Sequence, residues 1–254
     1  MSYKYEQAQV LGCRLDVVDM AGAMELAEEM IRKKLPSQIV TLNAEMIYRA
    51  QESPQLKEIY SRACLVTPDG IGAIWALRRQ GYAITKRVTG VALTYKMLEL
   101  ARELGLSVFL LGAQPGVTEE VARILKELPH QVKVVGTHHG YFADDESREI
   151  VDLIRNAQPD ILLVGLGAPR QDQWIAQYLD ELKVPICIGV GGTLDVLAGK
   201  VKRAPRVWRR LGLEWLYRLM SEPTRIKRQM ALPRFVWLVL KKGKTRADQS
   251  SPDS

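Results

Sequence analysis

Only three cysteines and three histidines occur in the 254 residues. Cys13, Cys64 and Cys187 are scattered, with no Cys-x-x-Cys among them. That excludes a disulfide framework and a thiolate zinc site, and it suits free thiols buried in a reducing cytosol. The adjacent His138 and His139, with no cysteine beside them, read as loop histidines, as does His130. No run of about 18 apolar residues exists, so no membrane-spanning helix is expected. The polar first eleven residues carry no signal-peptide core, which predicts a cytoplasmic protein. Several fingerprints are missing as well. There is no Gly-x-Gly-x-x-Gly, because Gly165-Leu166-Gly167 continues with Ala168, Pro169 and Arg170. A P-loop and a Gly-x-Ser-x-Gly elbow are also absent, which disfavours dinucleotide, P-loop and elbow-hydrolase chemistry. No two aspartates are spaced as Asp-x-Asp, so a bound diphosphate would need cationic side chains to balance it.

Negative charge is lacking in one stretch. Residues 1–199 hold 21 basic and 25 acidic side chains, net −4, whereas residues 200–246 hold 15 basic side chains against Glu214 and Glu222, net +13. The last eight residues are a polar tail of net −2, bringing the chain to +7. The positive charge therefore belongs to one segment, which points to an anionic partner. Composition is otherwise that of a globular protein, with 47% hydrophobic and 26% charged residues.

Short apolar runs at 39–42, 65–67, 108–111, 132–136, 161–165 and 186–190 alternate with helical patterns at 91–104, 117–128, 147–157 and 171–182. Continuous apolar strands suit burial on both faces, so the sequence predicts an α/β fold, a Rossmann-like, mostly parallel sheet flanked by helices. The division expected is a catalytic domain over 1–199, a basic amphipathic helical appendage over 200–246 and a disordered tail over 247–254. Ligands of such sheets sit beyond the carboxyl ends of the strands. Five of those ends carry glycine or a polar cluster: Thr41-Leu42-Asn43, Thr67-Pro68-Asp69-Gly70, Gly112-Ala113-Gln114-Pro115-Gly116, Gly165-Leu166-Gly167 and Gly189-Val190-Gly191-Gly192. Together they predict a cleft with helix N-termini facing an anion.

Asp69 precedes a helix starting near Ile71, so it suits an N-cap, and equally a general base in the cleft. Thr41 and Asn43 could bond a substrate or close the strand. Arg87 could meet a phosphate or be a surface arginine, and Gln171 could read a sugar or face solvent. In the appendage, Val207, Trp208, Leu211, Trp215, Leu216, Leu219 and Met220 recur at helical spacing, and Pro233 breaks the pattern that continues through Phe235, Val236, Trp237 and Leu240. Tryptophans, apolar residues and clustered cations suit an anionic membrane surface, or a hairpin docked in a homo-oligomer. No nucleic-acid module is present. The alternative to an enzyme is a Rossmann-like binding protein whose basic tail docks on nucleic acid or an acidic partner.

Read together, Val40-Thr41-Leu42-Asn43-Ala44-Glu45, Thr67-Pro68-Asp69-Gly70-Ile71-Gly72, Arg87-Val88-Thr89-Gly90, Leu111-Gly112-Ala113, the stretch from Gly165 to Gln171, Gly189-Val190-Gly191-Gly192-Thr193, and Leu211 to Leu219 followed by Glu222-Pro223 resemble the WecG/TagA/CpsF glycosyltransferases, glycosyltransferase family 26. The resemblance runs from about residue 10 to about residue 240. It implies an inverting transfer, without metal or cofactor, of an N-acetylmannosamine-type sugar from a UDP donor. The acceptor it implies is N-acetylglucosamine linked through diphosphate to undecaprenol, for surface polysaccharide or teichoic acid synthesis at the inner face of the plasma membrane. By the same resemblance Asp69 falls on the catalytic base. Thr41, Asn43, Arg87 and Gln171 fall on substrate contacts, and Arg218, Arg225 and Arg228 on arginines that close over the diphosphate. Arg170 stands where some relatives carry lysine, which keeps the charge.

Overall fold

The computed structural model describes residues 5–84, 87–127, 131–201, 204–205, 207–208, 216–217, 220 and 230–242. All six strands expected from the sequence are present: β3 (Gln38–Leu42), β4 (Leu65–Pro68), β5 (Ser107–Gly112), β6 (Lys133–His138), β7 (Ile161–Gly165) and β8 (Ile186–Gly189). They form one parallel sheet in the order β4-β3-β8-β7-β5-β6. Alternate residues feed two separate cores, which is why these strands read as continuous apolar runs. Val108, Leu110, Ile161, Leu163, Ile186 and Ile188 meet helices α1 (Met20–Lys33), α5 (Gly90–Leu104), α6 (Val117–Glu127) and α9 (Thr193–Leu197) on one face. Phe109, Leu111, Leu162, Val164 and Cys187 meet α7 (Ser147–Ala157) and α8 (Arg170–Leu182) on the other. On that second face Val40, Leu42 and Val66 pack under α2 (Ala44–Arg49), α3 (Pro54–Arg62) and α4 (Gly70–Arg79).

An N-terminal hairpin that the residue pattern does not announce, β1 (Gln7–Val10) and β2 (Cys13–Asp16), is paired antiparallel. Its turn takes Leu11 at φ 52° and Gly12 at φ 77°. Two residues with positive φ match the twist of a tight hairpin, but leucine there is not a turn signal. The hairpin guards the exposed edge of β4. Asp16 Oδ2 accepts from Val66 N at 2.7 Å and pairs with Arg14 at 3.0 Å, while Arg14 also donates to Ser61 O at 2.8 Å. Both side chains are buried.

The last described helix, α10 (Ala231–Lys241), is held by Phe235 and Val239, which are buried in the same core as α2 and α4. Pro233 falls in its first turn, where a missing N–H costs no hydrogen bond. The other side of α10 leaves Val236, Trp237 and Leu240 exposed. Among the described residues no helix is long and apolar enough to cross a membrane. The cysteines are free thiols, with Cys13 and Cys187 buried. Gln38 of β3 lies between Cys64 and Cys187, accepting from Cys64 N on one side and paired with Cys187 on the other. Two strand spacings put those thiols beyond the reach of a disulfide.

Candidate active site

The carboxyl ends of the strands form one row, on the order of 19 Å from β4 to β5. Read along it, Asp69 follows β4, Thr41 and Asn43 close β3, the 189–192 turn follows β8, the 165–169 turn follows β7, and the 112–116 turn follows β5. β7 leads onward to β8 on one side and β5 to β6 on the other, which opens a crevice between their ends. Gly112 and Gly165 face each other there. Gly112 has φ 129°, and a Cβ on it would lie 2.5 Å from the Gly165 backbone, so only glycine lets the two strands end side by side.

At the other end, Asp69 occupies the N-cap position of α4, as its place in the sequence suggested, but its side chain does not cap that helix. Its Oδ2 accepts instead from Gly90 N, the first residue of α5, at 3.0 Å. The Arg87-Val88-Thr89-Gly90 segment is built to deliver that N–H. Val88 N donates to Pro68 O at 3.2 Å, and Thr67 Oγ1 donates to Val88 O at 3.3 Å. Thr89 then caps α5 by accepting from Ala92 N at 3.3 Å. The carboxyl thus sits at the start of two helices, where backbone N–H groups and dipoles suit an anion.

Thr41 shares this corner. A Cβ on Gly90 would lie 2.9 Å from Thr41 Oγ1 and 3.7 Å from Asp69 Oδ2. Gly90→Ala is therefore expected to displace Thr41 or the start of α5, costing about 1–3 kcal/mol by overpacking. A fall in kcat/KM larger than the stability loss explains, seen by kinetics beside urea unfolding, would tie the corner to turnover. Unchanged kinetics would show that its spacing does not matter. Asn43 caps α2, its Oδ1 accepting from Met46 N at 3.0 Å, so it closes the strand. Arg87, half-buried, stands next to the anchored Val88 at the same corner.

Gln171 does not face solvent. It is 5% exposed, its Oε1 accepts from Gly191 N at 3.0 Å, and its amide packs over Gly189. It braces the 189–192 turn from below. Asp172 beside it had no signal in the sequence, because an acid in the first turn of a helix is ordinary. Burial pushes the Asp172 carboxyl up to about 7. Arg170 was also undervalued by the sequence. It donates to Gly140 O at 3.2 Å and Phe142 O at 2.9 Å, and its guanidinium lies 4.8 Å from the centre of the Phe142 ring. Gly140 N in turn donates to Ala113 O at 2.9 Å, so the loop after β6 is fixed against the crevice. His138 is the last residue of β6, with His139 following it in that loop, and their rings are 4.6 Å apart. Among the described residues, no group of three His, Cys, Asp or Glu side chains is placed to hold a metal ion.

Phe235 brings α10 to the same corner as Asp69. The ring lies 3.7 Å from where a Gly72 Cβ would be, and Gly72 itself lets α4 approach Ala44 of α2. Arg218, Arg225 and Arg228 lie outside the described residues.

The family model described as "Glycosyl transferase WecG/TagA/CpsF family" matches residues 8–249. A relative from Bacillus spizizenii is 35% identical over 204 residues, covering 80% of this chain and 78% of the relative. That relative is named N-acetylglucosaminyldiphosphoundecaprenol N-acetyl-beta-D-mannosaminyltransferase.

Proposed function

The chain belongs to the WecG/TagA/CpsF family of glycosyltransferases, and from that premise we propose that it moves an N-acetylmannosamine-type sugar from a UDP donor to N-acetylglucosamine linked through diphosphate to undecaprenol. The observation that carries this reading is the Asp69 corner: a carboxylate held by Gly90 N–H at the end of β4, beside Thr41 and a row of glycine turns. We assign proton transfer to the Asp69 carboxylate. It takes the proton of the attacking acceptor hydroxyl, that oxygen forms a bond to the anomeric carbon, and the bond to UDP breaks with its electron pair leaving on the β-phosphate. A single displacement inverts the anomeric carbon. The sequence has no Asp-x-Asp, so the charge on departing UDP falls to cations and backbone N–H groups. We assign that part to Arg87, Arg218, Arg225 and Arg228 and to the turns at 112–116 and 189–192. Thr41 and Asn43 orient the acceptor, and Gln171 acts by bracing the 189–192 turn.

A screen of UDP-sugars with a soluble N-acetylglucosamine-diphosphate-lipid acceptor tests the reading. UDP release with UDP-N-acetylmannosamine and a β-linked product by NMR is the expected outcome. Release with no transfer to the acceptor, or an α-linked product, would overturn it.

The 200–246 segment is assigned to membrane contact and to closing over the site. The exposed Val236, Trp237 and Leu240 lie beside Lys241 and Lys242, and the Lys241 ammonium sits 4.9 Å from the centre of the Trp237 ring. The protein is expected to float with anionic vesicles, less so as salt rises. Changing Lys241 and Lys242 to Gln should weaken vesicle binding by about tenfold or more at low salt, from ~1 kcal/mol per cation. Changing Arg218, Arg225 and Arg228 should instead slow transfer to a soluble acceptor. If both sets behave alike in the soluble assay, this division of labour is wrong.

A further inference from the structure

Asp172 is the most buried acid among the described residues, 1% exposed, and its Oδ2 has no hydrogen-bond partner. It differs from the buried Asp16, which has Arg14 against it. Of the elements packed on α8, β3 and β7 carry only neutral side chains, and Gln38 of β3 donates to the Asp172 backbone carbonyl at 3.0 Å. The buried residues of α7 are Ser147, Ile150, Val151 and Ile154. From α3 the phenol of Tyr60, itself buried without a partner, feels a charge on Asp172, and Arg49 of α2 acts on that phenol. β8 supplies the buried Cys187 thiol, which burial pushes up. Among the described residues burial is the cause that acts on the Asp172 carboxyl, and no charged side chain on β3, β7 or β8 offsets it. The carboxyl also has a specific mechanical position. A Cβ on Gly189 would lie 3.0 Å from Asp172 Oδ1 and 2.5 Å from Gln171 Nε2, so both side chains press on the same Cα.

We propose that Asp172 is a positioning residue: through Gln171 and the Gly189 backbone, its carboxyl sets the shape of the 189–192 turn and thereby the affinity for the diphosphate of the donor. The inference rests on reading that turn as part of the donor cleft. An uncharged acid packs against Gly189 without a counter-charge. A carboxylate there must recruit donors, and the Gln171 amide, which lies against the same Gly189 as Asp172 Oδ1, is one within reach, beside the unpartnered Tyr60 phenol. Recruiting the amide pulls Gln171 off Gly191. The turn is therefore well formed below about pH 7 and loosened above it.

Steady-state kinetics and calorimetric UDP binding from pH 6 to pH 9, on the full-length protein and on Asp172→Asn, test this. In the unmodified protein the KM for the UDP-sugar, and the Kd for UDP, should rise by about fivefold from pH 7 to pH 8, with kcat changing much less. Asp172→Asn should keep the low-pH values throughout. Thermal melts give a readout independent of turnover. A carboxyl raised in the fold adds stability below its unfolded range, and that stability is lost as pH rises toward about 7, so the variant should gain most in melting temperature at pH 8 and least near pH 4. Should the variant not fold, hydrogen exchange at Gly191 in the unmodified protein decides: protection should drop between pH 6 and pH 8 beyond the ordinary base-catalysed rise. Superimposable pH profiles, or exchange that follows the ordinary rise alone, would overturn the proposal. If no UDP-sugar is turned over and UDP does not bind at any pH, the functional reading has failed, and the melts and Gly191 exchange still decide the role of Asp172.

Discussion

Asp69→Asn should lower kcat by about 10²–10⁴-fold, the range for losing a positioned general base, with little change in folding. The asymmetry has a structural cause. An asparagine keeps an oxygen for Gly90 N–H, so the bond that anchors the start of α5 at 3.0 Å survives the substitution. It cannot take a proton from an acceptor hydroxyl. Circular dichroism and thermal melts on the purified variant, beside a UDP-release assay, separate the two roles. Loss of turnover in a folded protein assigns the chemistry to Asp69. Near-normal turnover would reduce Asp69 to a structural anchor between α4 and α5 and move the base elsewhere in the row.

Asp16→Ala should destabilise the protein by about 3–5 kcal/mol, because it leaves a buried guanidinium without its carboxylate. Three partners are lost together: Arg14 at 3.0 Å, Val66 N at 2.7 Å and the Gln7 amide at 3.1 Å. Val66 lies on the edge strand of the sheet, two residues before Pro68 and three before Asp69, so the hairpin supports the strand that carries the proposed base. Replacing both members of the pair by apolar residues, Arg14→Met with Asp16→Leu, should cost much less than the single change. Urea unfolding measures both. A single-mutant cost below about 1 kcal/mol would place the pair with weak surface bridges despite its burial.

The sheet was legible because its physics is local and repeated. A strand buried on both faces must be apolar at every position, so 161–165 and 186–190 announced themselves without long-range information. Helix α5 was equally readable: Leu93, Met97, Leu98 and Ala101 line one stripe, and all four are buried. The hairpin was not readable, because its turn puts a leucine where a turn signal favours asparagine or glycine, and its anchor is a buried ion pair whose carboxylate accepts from the backbone of a distant strand. The polar positions were harder still. Asp69 was placed correctly at the start of α4, yet the partner of its side chain is Gly90, 21 residues away. Gln171 looked like a residue for solvent or sugar, and its position beneath Gly191 depends on how β7 and β8 end side by side.

By itself the sequence determined the α/β class, the order of the six sheet strands and of helices α5 to α8, the concentration of positive charge in one segment and the family resemblance. All of these depend on residue type and spacing along the chain. Only the tertiary structure decided that Asp69 bonds α5 rather than α4, that Gly90 must be small because Thr41 lies against it, and that Phe235 fastens the last described helix beside α2 and α4. It also decided that Asp172 is buried with its Oδ2 left without a hydrogen-bond partner among the described residues. Those facts depend on distances between segments that are remote in sequence, and desolvation and close approach exist only once those segments are packed.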